Sequence, residues 1–187
     1  MERVRSFIAV DILEPSILDK IESLQRDLMS LGATLKPVER ENIHITLYFL
    51  GEISLSLVEE VKKVLRSVVY EPFTIMLEGL GAFPSPGNPR VVWIGVSRGA
   101  KELREVYEMI MAKLRKLGFR PDPRGFSPHV TVARVKSKNR GQLPRYIMTH
   151  TSLVFGSMRV ESIRLKKSIL TSRGPIYETL YEKMLGK

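Results

Sequence analysis

The chain has 187 residues, 43% hydrophobic and 27% charged, a length and composition that build one domain, or two small lobes sharing a core, and exclude a disordered chain. With no cysteine, disulfide frameworks, thiolate metal sites and cysteine nucleophiles are excluded, which fits a reducing cytoplasm, and no apolar run approaches the roughly 18–20 residues that cross a bilayer. Lys and Arg outnumber Asp and Glu by 30 to 20, a formal charge of +10 that balanced ion pairs would not leave and that points to a polyanionic partner, nucleic acid above all.

Residues 5–12 alternate loosely and are rich in Phe, Ile and Val, which predicts a strand. Pro15 and Ser16 open a helix whose stripe is Leu18, Ile21, Leu24, Leu28 and Leu31, ended by Gly32. Residues 42–50 read as a strand stopped by Gly51. Ser54 or Ser56 caps the next helix, with Leu57, Val61, Val64, Leu65 and Val68 inward. Residues 73–80 read as a strand and 81–89, with three prolines and two glycines, as a turn-rich connection. The order then repeats. Residues 90–96 form a strand and 100–117 a helix on Leu103, Val106, Ile110, Leu114 and Leu117, ended by Gly118. A loop at 121–125 leads to a strand at 129–135. A basic, irregular stretch follows, and strands near 151–156, 158–169 and 176–184 close the chain.

Two four-residue words stand out: His44-Ile45-Thr46-Leu47 and His129-Val130-Thr131-Val132, 85 positions apart. The same offset carries Phe7–Val10 onto Val92–Gly95 and Leu18 and Ile21 onto Leu103 and Val106, and it leaves Gly32 one short of Gly118. A duplicated strand–helix–strand unit with the motif on the later strand is the reading. Within a strand, positions i and i+2 share a face, so each copy presents one imidazole and one hydroxyl together while Ile43, Ile45, Leu47, Val130 and Val132 face a core.

Two imidazoles suit phosphodiester hydrolysis, which needs a base for water and an acid for the leaving oxygen. Histidine's ordinary pKa of about 6.5 lets one ring be neutral while the other is charged. Thr46 and Thr131 can donate to phosphate oxygens. With three histidines in all, no cysteine and no carboxylate inside either word, neither a metal nor another cofactor is expected. His150 falls outside the repeat and reads as a surface or structural residue.

On those words the chain resembles the 2H phosphoesterases, and within them the RNA 2′,3′-cyclic phosphodiesterase (2′-5′ RNA ligase) branch. Arg5–Val10, Asn42–Gly51, Pro89–Trp93, Ser127–Arg134, Leu165–Ser168 and Gly174–Tyr177 also carry the likeness, so it runs from end to end. The resemblance implies a single α+β domain over 1–187. That domain is a bilobal duplicated fold, with two antiparallel sheets facing across a central cleft and helices on the outer faces. It implies metal-free opening of RNA 2′,3′-cyclic phosphate ends to 2′-phosphates, with a reverse 2′-5′ ligation, by a cytoplasmic monomer acting on RNA ends such as those of tRNA fragments. His44 would be proton donor and His129 proton acceptor, although the two words are locally equivalent and leave that polarity open. Arg134, Tyr48 and Arg5 are the expected substrate-binding residues: Tyr48 by sharing the parity of His44, Arg134 only if a bulge turns it. Phe49 is expected in the core. The basic run Lys136, Lys138, Arg140 and Arg145 is a candidate RNA track or a solvated loop. Two other readings remain: a non-catalytic RNA-end-binding module, and a cyclic phosphodiesterase for small nucleotides.

Overall fold

The structure, a computed structural model, describes residues 2–187. In chain order it runs β1 (Arg3–Asp11), α1 (Pro15–Met29), β2 (Leu35–Pro37), a 3-10 turn at Arg40–Asn42, β3 (His44–Ser54), α2 (Leu55–Arg66) and β4 (Phe73–Ser85). It continues with β5 (Asn88–Val96), α3 (Ala100–Leu114) and its 3-10 extension Arg115–Leu117, β6 (His129–Val135), α4 (Leu143–Thr149), β7 (Val154–Val160), β8 (Ser162–Thr171) and β9 (Gly174–Met184).

Local chemistry accounts for two of the boundaries. Pro15 occupies the first turn of α1, where its missing N–H costs nothing. The Ser54 hydroxyl accepts the Leu57 N–H at 3.3 Å and caps α2. Four segments differ from the sequence reading. The strand expected to stop at Gly51 runs on to Ser54. The turn-rich connection at 81–89 is mostly strand, because β4 runs on to Ser85 and β5 begins at Asn88, leaving only Pro86 and Gly87 as the hairpin turn. The basic stretch after β6 contains α4, and β2 pairs briefly with β6; both are too short for their periodicity to be read.

All strand pairing is antiparallel. One half-sheet has the order β7-β4-β5-β6 and the other β3-β1-β8-β9. They join edge to edge through a single residue pair, Ile45 with Val130. Beyond that pair β3 leaves β6, and β2 takes up the vacated edge from Leu35 opposite Val135 to Pro37 opposite Ala133. The buried Gln25 amide ties the wedge, donating to the carbonyls of Val38 and Val132 at 2.8 and 2.9 Å.

The helices exchange halves. α1 follows β1 but packs on β6 and β7, and α3 follows β5 but packs on β3, while α2 and α4 cover β3 and β4–β5. Each duplicated unit therefore closes the core of the other, and the buried apolar residues of both form one continuous cluster.

The duplication is visible in pairing register and sharpens the 85-residue offset. Phe7 pairs with Phe49, and Val91 pairs with Arg134, so the leading strands correspond one residue short of the motif offset. The helices correspond one residue beyond it. Buried Ile17, Ile21, Leu24, Gln25 and Leu28 of α1 match buried Leu103, Tyr107, Ile110, Met111 and Leu114 of α3. The offset of 85 holds for the motif strands, and the strand and helix shifts on either side of it cancel.

Candidate active site

The Ile45–Val130 pair is the hinge of the site. Both residues are fully buried on the core side. Their neighbours on β3 and β6 therefore point the other way, into the concave face shared by the half-sheets. Carrying this antiparallel register one residue either way sets His44 opposite Thr131 and Thr46 opposite His129. The four motif side chains thus alternate around one local twofold.

Both imidazoles are held in the same tautomer by the same device. His44 Nδ1–H donates to the carbonyl of Asn42 at 2.7 Å, and His129 Nδ1–H donates to the carbonyl of Ser127 at 2.7 Å. A carbonyl only accepts, so Nδ1 carries the proton and Nε2 is the working atom in each ring. The surroundings then diverge. The Thr46 hydroxyl donates to His44 Nε2 at 2.8 Å when that ring is neutral, whereas among the described residues nothing bonds to His129 Nε2 or to the Thr131 hydroxyl. Burial pushes both histidines below the ordinary imidazole value. At His44 the Asn42 carbonyl and Asp11 push back upward and Lys166 and His129 further down; at His129 only the Ser127 carbonyl pushes back.

Aromatic rings bracket each imidazole. Phe7 lies 5.1 Å from His44 and Tyr177 meets it edge-on at 5.5 Å; Phe83 meets His129 edge-on at 5.0 Å and Trp93 lies at 6.1 Å. Behind His44 is a charge network: the Asp11 carboxylate accepts from Lys166 Nζ at 2.8 and 3.0 Å and from Arg164 Nη1 at 2.6 Å, and Arg164 continues to Glu182. Sequence reasoning missed Tyr177, Phe83, Asp11 and Lys166, because nothing local announces which distant strand brings a residue beside a motif. Tyr177 and Lys166 did lie inside the segments that carried the family likeness.

One extra residue decides where the remaining candidates go. On β3 the register passes from Tyr48 opposite Ile8 to Thr46 opposite Ala9, so Leu47 is a bulge; on β6 it passes from Ala133 opposite Val92 to Thr131 opposite Trp93, so Val132 is the corresponding bulge. A bulge inverts side-chain parity beyond it. Tyr48 consequently faces away from the histidines. Its hydroxyl donates to the Arg120 carbonyl at 2.6 Å and its ring packs edge-on against Phe119. Phe49 is not a core residue but 68% exposed, 6.0 Å from Phe7 on the cleft side. Arg134 shares that side, and its charge, with that of Arg5, favours the ionised form of Tyr177, although burial keeps that phenol above its ordinary value. Arg5 follows the parity of Phe7 toward the same rim.

The basic run is anchored rather than loose, with Thr34 N–H donating to the Ser137 hydroxyl and Lys136 N–H to the Thr34 carbonyl. Arg140 turns inward, its Nε and Nη1 buried without a hydrogen-bond partner among the described residues. His150 lies apart, stacked on Tyr146 at 3.9 Å. Among the described residues no three His, Cys, Asp or Glu side chains converge as metal ligands, and no helix is long and apolar enough to cross a membrane.

The family described as LigT-like phosphoesterase matches the chain twice, over residues 10–93 and 94–177. A protein of Aeropyrum pernix named RNA 2′,3′-cyclic phosphodiesterase is 45% identical over 89% of this chain and 95% of its own. A protein of Archaeoglobus fulgidus with the same name is 45% identical over 95% and 98%. Among solved structures, TT0787 of Thermus thermophilus superposes with a TM-score of 0.82 at 26% identity, covering 96% and 97% of the two chains. Escherichia coli LigT bound to 3′-AMP shares the fold, with a TM-score of 0.81 at 23% identity over both full chains.

Proposed function

This chain belongs to the LigT-like phosphoesterase family, and from that premise we propose that it opens 2′,3′-cyclic phosphate ends of RNA to 2′-phosphates without a metal. The observation that carries the reading is the pair of histidines with Nδ1 fixed on a carbonyl and Nε2 turned into one cleft on either side of the Ile45–Val130 pair.

The chemistry follows from those atoms. Neutral His129 accepts a proton from water through Nε2 as the water oxygen bonds to phosphorus. The P–O3′ bond breaks, and protonated His44 gives its Nε2 proton to the departing 3′-oxygen. The products are a 2′-phosphate and a free 3′-hydroxyl, with the proton now on His129; exchange with solvent restores both rings. Thr131, whose hydroxyl has no partner among the described residues, and Thr46 donate to the non-bridging oxygens. A 5′-hydroxyl in place of water joins two ends through a 2′-5′ linkage. Arg134, Arg5 and Phe49 hold the terminal nucleotide at the rim by charge and stacking, and Tyr48 takes no part. The excess positive charge favours RNA ends, tRNA fragments among them, over isolated nucleotides, and a cysteine-free chain suits the cytoplasm. The protein acts as a monomer in this reading, because each chain supplies both histidines.

The test incubates the protein, in EDTA, with an RNA oligomer ending in a 2′,3′-cyclic phosphate. The expected product is a 2′-phosphate end with a bell-shaped pH dependence. A cyclic end that binds but persists would replace catalysis with end recognition, and activity lost with chelator would overturn the metal-free step.

A further inference from the structure

The two halves of the site are alike in backbone and unlike in charge. In β1, Asp11 is register partner to His44; the corresponding partner of His129 in β5 is Gly95. Phe7 pairs with Lys166 across β1 and β8, and its counterpart Val91 pairs with Phe83 across β5 and β4. Lys166 and Phe83 therefore hold corresponding places, an ammonium beside one histidine and a phenyl ring beside the other.

We propose that the Asp11–Lys166 ion pair is a positioning device that makes His44, rather than His129, the proton-carrying member of the pair. The inference rests on the phosphodiesterase reading above for its consequence in catalysis. Its geometric basis does not depend on that reading.

The pair is built for permanence. Lys166 is 5% exposed, both oxygens of Asp11 bond its Nζ, and the third contact of Asp11 is Arg164 Nη1. A buried ammonium without that carboxylate would be strongly disfavoured, so neither charge is there by accident of the surface. The groups facing His44 are Asp11 from β1, Lys166 from β8, Tyr177 from β9 and His129 from β6, with Arg164 and Glu182 behind Asp11. Asp11 favours the imidazolium more than Lys166 opposes it, and the two act in opposite directions on the same ring. The places around His129 hold Gly95, Phe83 and Trp93, and none is charged. When a phosphate anion enters between two desolvated imidazoles, the proton it attracts settles on the ring that also has a carboxylate nearby. Lys166 keeps that carboxylate from taking the imidazole proton itself, and so leaves the proton available for the 3′-oxygen.

The experiment follows the three histidine rings by NMR through a pH titration of the intact protein, and kcat/KM on the cyclic-ended oligomer in parallel. Asp11→Asn should move the His44 midpoint down and Lys166→Met should move it up, with His129 and His150 unmoved in both. In turnover, Asp11→Asn should lose roughly tenfold above the wild-type pH optimum, one unit of limb shift being tenfold, and less below it, while Lys166→Met extends activity to higher pH. A purely structural pair would move both variants the same way. Shifts of the same sign, an unmoved His44, or an equal shift of His129 would overturn the proposal. If Asp11→Asn does not fold, Lys166→Met decides alone, since Arg164 still holds Asp11, and an unmoved or lowered His44 midpoint overturns it. Opposite shifts in a protein inactive on cyclic ends would uphold the device and remove the phosphodiesterase reading instead.

Discussion

The His44 half and the His129 half of the cleft differ in a way that separates what a duplicated backbone supplies from what side chains supply. Both halves have a bulge at the third residue after the histidine, a carbonyl two residues before it that fixes the tautomer, and a leading strand in the same register. Those features set geometry, and geometry is shared. At corresponding positions the halves then carry Asp11 and Gly95, Lys166 and Phe83, Phe49 and Arg134. Charge lies behind one histidine and in front of the other. A symmetric scaffold thus carries an asymmetric electrostatic environment, which the proposed transfer of a proton across a phosphate would use, since it needs two rings with equal reach and unequal proton affinity.

Several substitutions would break or sharpen this contrast. The largest effect is expected where the halves are alike. His44→Ala and His129→Ala should each lower kcat about 10²–10⁴-fold, the usual worth of a positioned acid or base, with folding unchanged by circular dichroism. Next come the residues the bulges turn into the cleft. Arg134→Ala should raise KM for the oligomer roughly 10–100-fold through loss of charge-assisted contacts. Phe49→Ala should raise it by no more than about tenfold through lost stacking. Equal effects in a variant with the Leu47 bulge intact would mean that the two places serve one role. Tyr48→Phe should leave kcat/KM unchanged and cost about 1 kcal/mol of stability in denaturant unfolding, because it removes only the bond to Arg120.

The smallest effect is on acid stability. Burial, the largest cause at both rings, holds His44 and His129 below the ordinary value, so the unfolded chain takes up protons first as pH falls. Their contribution is present above about pH 6.5, the unfolded value, and is lost as pH falls through the folded values. Replacing both with Gln should flatten the fall of Tm on the acid side, and an unchanged slope would assign it to other groups.

Much of this was legible in residue order. The His-x-Thr words, the buried positions between them and the helix stripes all rest on periodicity within one element, which a sequence displays directly, whereas Gly51 reads as a stop and β3 runs through it. The rest depends on pairing between distant strands. A bulge at Leu47 leaves no mark in composition, yet it exchanges the fates of Tyr48 and Phe49. The corresponding bulge at Val132 gives Arg134 its place in the cleft, where strict alternation would have turned it away. Asp11 and Lys166 are 155 residues apart and meet only because β8 returns to lie beside β1. The end of the β4–β5 hairpin, with Pro84 opposite Pro89 and Ser85 opposite Asn88, reads as a loop because proline is rare inside strands, although a hairpin end tolerates it.

The central claim is that two motif strands form one site with one acid and one base. The most direct measurement compares kcat on the cyclic-ended oligomer for His44→Ala, His129→Ala and the double variant. Two groups acting as a unit predict that the double variant is no slower than the slower single one. A single variant that keeps wild-type turnover, or a double variant whose loss is the product of two independent losses, would contradict it.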